Sequence, residues 1–380
     1  MPSLKVNQIT NAAGTGAPDF EDGIKYAGSA TSSLNTYQYT ESATAPSSPN
    51  NGALWWDTTN TAVKIYANNA WQTVTLESFD DSTIVASQGD RGVFTGGALL
   101  SNQSVVDTMD YISISTTGNA TDFGDMDLGL TRFTGGASNK TRGVVMGGVY
   151  YPPSNTRVNN IQYFTFASSG GAQDFGDLLS SADGQCASSN ATYGLSWGGL
   201  TGPGGSQNVI QYITIATTGD ATDFGNMSQS LRYATALDGE SRNIKAQGSL
   251  QNGTSDVIEY VNPTAPGNAT DFGDMISPHY RVGSGSDLTR GVISVGNNGF
   301  EYITMSTPSN ATDFGDLGNT GTMSGQYNTG VSYNGRVVFA GGSNTATVMY
   351  ITVQTLGNSL DFGDLSQDRH TFGGCSGNAA

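Results

Sequence analysis

Six times along the chain a Tyr stands twelve residues ahead of the Phe of an Asp-Phe-Gly segment: Tyr111 and Phe123, Tyr163 and Phe175, Tyr212 and Phe224, Tyr260 and Phe272, Tyr302 and Phe314, Tyr350 and Phe362. The steps from one Phe to the next are 52, 49, 48, 42 and 48 residues, so insertions and deletions fall outside one constant piece of every repeat. Units this short cannot bury an apolar face alone. They must stack on one another or close around an axis.

Each repeat reads as four short strands bounded by Gly, Asn and Ser turns. In the second repeat these are Phe133–Ala137, Gly143–Gly147, Ile161–Phe166 and a fourth carrying Gln173–Asp177. The middle two are β-branched and aromatic with near-alternation, as suits sheets packed on both faces. No apolar stripe at helical spacing lasts three turns, so the expected class is all-β with minimal helix. Six Asp-Phe-Gly segments imply six blades of a β-propeller. After the last, Thr371–Gly377 supplies one extra first strand with no second strand to follow it. It is expected to pair beside Gly92–Gly96 and close the ring, with residues 83–88 competing for the same place.

The array accounts for residues 79–380. Ahead of it, residues 1–44 show no sustained period and read as an extended N-terminal attachment arm. Residues 45–78 hold three strand-like runs, Leu54–Asp57, Val63–Tyr66 and Trp71–Val74, a small β meander module carrying three of the four Trp.

Charged residues make up only 12% of the chain, and the formal net charge is −17. Without a basic stripe, neither phosphate backbones nor anionic membranes are expected partners. No run of apolar residues is long enough to span a bilayer, and the start lacks the apolar run of a secretion signal, so synthesis in a cytoplasm is expected. Two cysteines, Cys186 and Cys375, are too few for a disulfide framework and are expected to be unpaired and buried.

A Gly-Gly pair closes the second strand at Gly96-Gly97, Gly147-Gly148, Gly198-Gly199 and Gly341-Gly342, with degenerate versions at Gly248 and Gly296. This resembles the kelch-type β-propeller, although the later kelch Trp is absent and the Phe of Asp-Phe-Gly stands in its place. The pattern Tyr-Ile-Thr/Ser-Ile/Met followed by Asn-Ala-Thr-Asp-Phe-Gly-Asp, at residues 111–125 and 302–316, is similar to repeats of virion structural and tail-fibre-like proteins of marine tailed phages, cyanophages in particular. The opening Val6–Phe20 and the segment Gly52–Asp57 with Ile65, Tyr66 and Trp71 resemble leaders of such proteins. The resemblance implies a six-bladed kelch-like propeller in a virion component assembled in a host cytoplasm. The arm would hold other virion proteins, and the propeller would adhere to host-surface glycan as a fibre or appendage tip. A capsid or tail decoration of purely structural role, and a polysaccharide-active propeller enzyme, are the alternatives. A homo-oligomer is compatible with the resemblance, but no heptad repeat is present to enforce a trimer.

No enzyme, cofactor or metal site is expected. Asp-Phe-Gly occurs six times without the glycine-rich loop or His-Arg-Asp segment of a kinase, so its Phe is read as filling the gap between blades. The two histidines, His279 and His370, have no ligand cluster around them at metal spacing. Four Asn-Ala-Thr sites, at Asn119, Asn190, Asn268 and Asn310, match the glycosylation acceptor, but their place at repeat turns is explained by turn chemistry. Nine of ten arginines are repeat-phased and are read as scaffold; only Arg157 stands outside the register.

From the second Gly of the Gly-Gly position to the Tyr the spacing runs 14, 15, 13, 12, 6 and 8 residues. The second-to-third-strand connections therefore absorb the variation, and recognition is expected on the face they share. The candidate contact residues are Tyr150, Tyr151, Arg157 and Gln207, the Tyr and Arg side chains offering large area at modest ordering cost.

Overall fold

The computed structural model describes residues 39–50, 53–59, 62–67, 70–73, 88–99, 104–127, 131–150, 156–202, 205–296, 299–318, 326–342 and 346–379. The chain divides into two compact units, Met1–Ile84 and Val85–Ala380. Every regular element among the described residues is a β-strand.

In the first unit the expected meander forms from Leu54–Asp57, Ala62–Ala67 and Ala70–Thr73. A further strand, Tyr39–Ser42, drawn from the stretch read as arm, pairs parallel with Leu54–Asp57. Polar residues and no flanking period left it without a strand signal. Trp55 explains its place: the indole donates to the Ser42 carbonyl at 2.9 Å and meets Trp71 edge to face at 5.4 Å. Lys64 pairs with the buried Asp57 at 3.0 Å and lies over the Trp55 ring.

The second unit contains six sheets built on four antiparallel strands each, an arrangement consistent with a β-propeller. The first strands of sheets 2 to 6 are Gly135–Ser138, Cys186–Ser189, Thr235–Leu237, Ser284–Ser286 and Asn328–Tyr333. Sheet 1 takes its first strand from the far end of the chain: Gly373–Gly377, one of the two candidates read from sequence, runs antiparallel to Arg91–Thr95, whereas of the other, residues 83–88, all but Gln88 lies outside the described residues. The six first strands lie side by side in an unbroken cycle. Six apolar clusters fill the spaces between consecutive sheets, including one that joins sheet 6 (Val338, Val348, Phe362) to sheet 1 (Phe94, Ile112, Ile114).

The constant piece of the repeat is the joint between sheets. Each motif Phe is buried and meets the Tyr twelve residues before it edge to face, with ring centroids 5.6–6.1 Å apart. The motif Gly has φ between +142° and +149°, in a bulge of the fourth strand. A Cβ on it would lie 2.3–2.5 Å from a carbonyl oxygen in the turn of the next sheet. The same turn donates a backbone N–H to the residue after the motif Gly: Ala120 to Asp364, Ala172 to Asp125, Ala221 to Asp177, Ala269 to Asn226, Ala311 to Asp274 and Ser359 to Asp316, at 2.8–3.0 Å. Five of these joints carry a second bond, in which Asn119, Asp220, Asn268, Asn310 or Asn358 accepts the reverse N–H on Oδ1. Three of the Asn-Ala-Thr asparagines are thus acceptors between sheets, whereas Asn190 closes its own turn through Thr192 and Tyr193.

The arginines that open the second strands add another joint. Arg91, Arg142, Arg242, Arg290 and Arg336 stack on their own sheet's repeat Tyr at 4.2–4.8 Å. Each then donates to a backbone carbonyl of the next sheet, for example Arg336 to Ile114 at 2.9 Å. Tyr193 holds this position in sheet 3 and stacks edge to face on Tyr212.

Gly273→Ala tests the joint. The added methyl would meet Ser309 O at 2.4 Å on a backbone with φ +145°. The expected cost is about 2–5 kcal/mol, strain and overlap together, read as a lowered denaturant midpoint. A change below about 0.5 kcal/mol would show that the close approach is not required.

Candidate binding site

The residues that lead into the six first strands meet at one end of the cycle. Thr371, Phe133, Gly184, Tyr233, Arg281 and Tyr327, one per sheet, all adopt left-handed backbone with φ between 54° and 66°. Their backbones are linked in a closed ring of hydrogen bonds. Phe133 donates to Thr371 (2.7 Å), Gly184 to Phe133 (3.1 Å), Tyr233 to Gly184 (2.5 Å), Arg281 to Tyr233 (2.9 Å), Tyr327 to Arg281, and Thr371 back to Tyr327 (3.5 Å). With the N–H groups spent on one another, the side chains are left to form a rim.

That rim is aromatic and cationic. The Arg281 guanidinium lies 4.2 Å from the Tyr233 ring centroid and 5.0–5.5 Å from those of Tyr327, Phe133 and Tyr280. It also donates to Tyr327 Oη at 2.6 Å. Arg132 and Arg232 flank it over Phe133 and Tyr233. His370 meets Tyr327 edge to face at 5.5 Å. Burial first, and then the charges of Arg132 and Arg281, hold His370 below the usual imidazole range, so at neutral pH the rim's charge is guanidinium.

The variable connections border this rim. Thr131–Arg132 pairs with Val149 and Tyr150, Arg232 bridges Ser249, Asp183 bridges Leu200, and Arg369–His370 pairs with Ala98–Leu99. Arg369 itself turns inward, bonding the Phe94, Gly96 and Thr108 carbonyls and pairing with Asp110 where neither side chain is exposed.

Beneath the rim a cavity of about 140 Å³ runs between the first strands, lined mainly by small residues such as Gly136, Ala187, Ala236, Gly285 and Gly374. At its other end a second ring closes through Ser138, Ser189, Asp238, Ser286, Ser332 and Ser376. Ser138 Oγ donates to Ser376 O, Ser376 Oγ to Ser332 O, Ser286 N to Ser332 Oγ, Ser286 Oγ to Asp238 O, Ser189 N to Asp238 Oδ1, and Ser138 N to Ser189 Oγ, at 2.6–3.4 Å. Gln88 reaches Ser286 O from the same end at 2.8 Å. Asp238 is the single carboxylate among five serines. Burial pushes it up from 3.8 to about 7, against the two bonds from Ser189.

Of the candidates read from sequence, Tyr150 is half-buried beside the rim strand, and Tyr151 lies outside the described residues. Arg157 is held at 2.7 Å by the buried Asp183, next to Gly184 of the rim. Gln207 donates to Gly198 O at 2.9 Å. The rim residues themselves were not singled out, although Gly184, Tyr233, Arg281 and Thr371 each fall nine residues past a motif Phe. Nor was Asp238, fourteen past Phe224, where Ser189, Ser286 and Ser376 fall fourteen past theirs. Cys186 and Cys375 are buried and unpaired at the cavity wall, with burial raising both thiols to about 12. No group of three or more His, Cys, Asp and Glu that could hold a metal occurs among the described residues. No protein-family model matches the chain, and no curated protein matches it.

Asp238 makes a pH prediction. A folded-state value raised from 3.8 to about 7 means that the native state binds the extra proton, so stability is full below about pH 4 and falls as pH rises toward 7. Asp238→Asn keeps the Oδ1 acceptor for Ser189 and removes the charge. It is expected to flatten the pH profile and to raise stability at pH 8 by up to about 4 kcal/mol. Parallel melting-temperature profiles for the two proteins from pH 4 to 8 would contradict this.

Proposed function

We propose that the second unit is a six-bladed kelch-like propeller in a non-enzymatic phage virion protein, and that it adheres to host-surface glycan. The observation that carries this reading is the division of labour within the repeat. The Tyr-to-Phe piece is invariant in length and spent on joints between sheets, whereas the connections that vary in length gather around one rim of aromatic and arginine side chains. A rigid frame presenting irregular loops is the usual form of a recognition surface. Charged residues make up only 12% of the chain, and the resemblance of the repeats and leader to tail-fibre-like proteins supplies the biological setting. Shape and contact, not bond-making, are the product. The part of the arm ahead of the Tyr39–Ser42 strand, residues 1–38, is assigned to other virion proteins.

Purified protein, fluorescently labelled, is expected to stain host bacteria and to lose that staining when surface polysaccharide is stripped. Staining that survives stripping overturns the glycan assignment, and no staining by a folded protein that is present in particles favours a decoration role. Turnover of the polysaccharide into shorter chains would instead support the enzyme alternative. Removal of residues 1–38 is expected to abolish incorporation into particles while the melting transition of the remaining protein persists. Normal incorporation of the truncated protein would contradict the role given to the arm.

A further inference from the structure

Five of the six rim positions carry a side chain on left-handed backbone, a conformation that costs a non-glycine residue roughly 1–2 kcal/mol. Glycine, present at the sixth as Gly184, would satisfy the same hydrogen-bond ring without that cost. Strain retained in this way at one place points to use of the side chains themselves. Of these side chains Thr371 is buried, Phe133, Tyr233 and Tyr327 offer ring faces, and Arg281 lies among the rings.

The charge at Arg281 has no carboxylate partner among the described residues. Its contacts are the hydroxyls of Tyr233 and Tyr327 and the surrounding rings, and its Nε is buried without an acceptor. Arg232, beside it, also has a buried Nε without an acceptor. Arg91, Arg142, Arg242, Arg290 and Arg336 also lack a carboxylate among the described residues, but each gives its guanidinium to a backbone carbonyl of the next sheet, whereas Arg281 meets only hydroxyls and rings. Arg369, at the position next to the rim in sheet 1, is paired with Asp110, Arg157 with Asp183, and Lys245 with Glu259. In a chain with 32 acidic and 15 basic residues, a guanidinium left without an anion at the centre of a concave, aromatic-walled mouth is a site for one.

We propose that this mouth binds the carboxylate of an acidic saccharide, with Arg281 taking the carboxylate and Tyr233, Tyr327 and Phe133 packing on the apolar faces of the sugar ring. The planar fork of guanidinium donors matches a planar carboxylate, and ring faces beside it match the C–H faces of a pyranose. The inference deepens the adhesion reading and rests on it: it names the chemical class of the glycan and the residue that selects it.

The test is titration of the full chain with oligogalacturonate, with a neutral maltooligosaccharide and with a sulfated dextran oligomer, using wild type, Arg281→Gln and Arg281→Lys. Binding of oligogalacturonate that weakens with salt, is at least tenfold weaker in both variants, and exceeds that of the other two probes is the expected result. Melting temperatures identify any variant that fails to fold, and Tyr327→Phe, which removes only the hydroxyl that Arg281 holds, is then the substitute and is expected to weaken binding as well. Equal binding of neutral and acidic probes, preference for the sulfated one, or affinity indifferent to these substitutions would overturn the site. Cell staining separates this from the wider reading: staining that persists undiminished in Arg281→Gln removes the rim as the contact and leaves adhesion standing, whereas a wild type that binds oligogalacturonate through Arg281 but stains no cells removes adhesion and leaves the site standing.

Discussion

The approach of one backbone to another at the Asp-Phe-Gly glycine is what the rest of the second unit depends on. Each glycine lets the turn of the next sheet come close enough for its N–H to reach the residue after the motif. A Cβ there would push the neighbouring sheet outward and lengthen all the contacts behind it. The Phe before the glycine is buried in the space so defined, and the Tyr twelve residues earlier meets it edge to face. Fixed spacing follows from this geometry: the Tyr and the Phe lie on adjacent strands joined by one turn, and a single inserted residue would shift their register or send one of them to the opposite face. Variation is therefore driven into the connections at the other end of each sheet.

Closure makes six weak joints into one strong structure. A linear stack leaves two terminal faces bare, but here the joint between sheets 6 and 1 has the same parts as the others: the Asn119 acceptor, the Ala120 N–H and the Arg336 clamp. The C-terminal strand completes sheet 1 in the place where an edge would otherwise be open. The buried Arg369–Asp110 pair just before that strand is costly in desolvation, yet it draws three backbone carbonyls and a carboxylate onto one side chain, which pins the register of the closing segment. Two hydrogen-bonded rings, one through backbone at the rim and one through serine hydroxyls at the far end, then hold the first strands from both ends.

Much of this frame was legible in the residues. Invariant spacing marked the third and fourth strands, and the second repeat's fourth strand, Gln173–Asp177, falls where it was read. The extra Thr371–Gly377 segment foretold the closing strand. What escaped has physical causes. The Tyr39–Ser42 strand is defined by its partner and by the Trp55 bond, not by its own composition. The rim turns are left-handed at Phe133, Tyr233, Arg281 and Tyr327, residues that give no signal of positive φ, so the first strands read from Phe133 and Thr371 begin two residues later, at Gly135 and Gly373. In sequence the loop at Tyr150, Tyr151 and Arg157 stands out by its aromatic density, whereas Arg281, repeat-phased like the scaffold arginines, stands at the centre of the rim.

A repeat-phased position is not by that fact structural; what matters is whether its chemistry is satisfied within the frame. The arginines that open the second strands are satisfied, each by a ring and a carbonyl of the next sheet. At the rim the repeat brings six residues of five kinds to one point, and symmetry in the backbone becomes asymmetry in the side chains. Two repeats sharing a fold can thus contribute a hydroxyl and a guanidinium to a single mouth, and the length variation of the bordering connections can reshape its walls without touching the joints. Separation of the two regions, with the glycine-mediated joints at one end and the rim at the other, allows the rim and its bordering connections to change while the frame stays fixed.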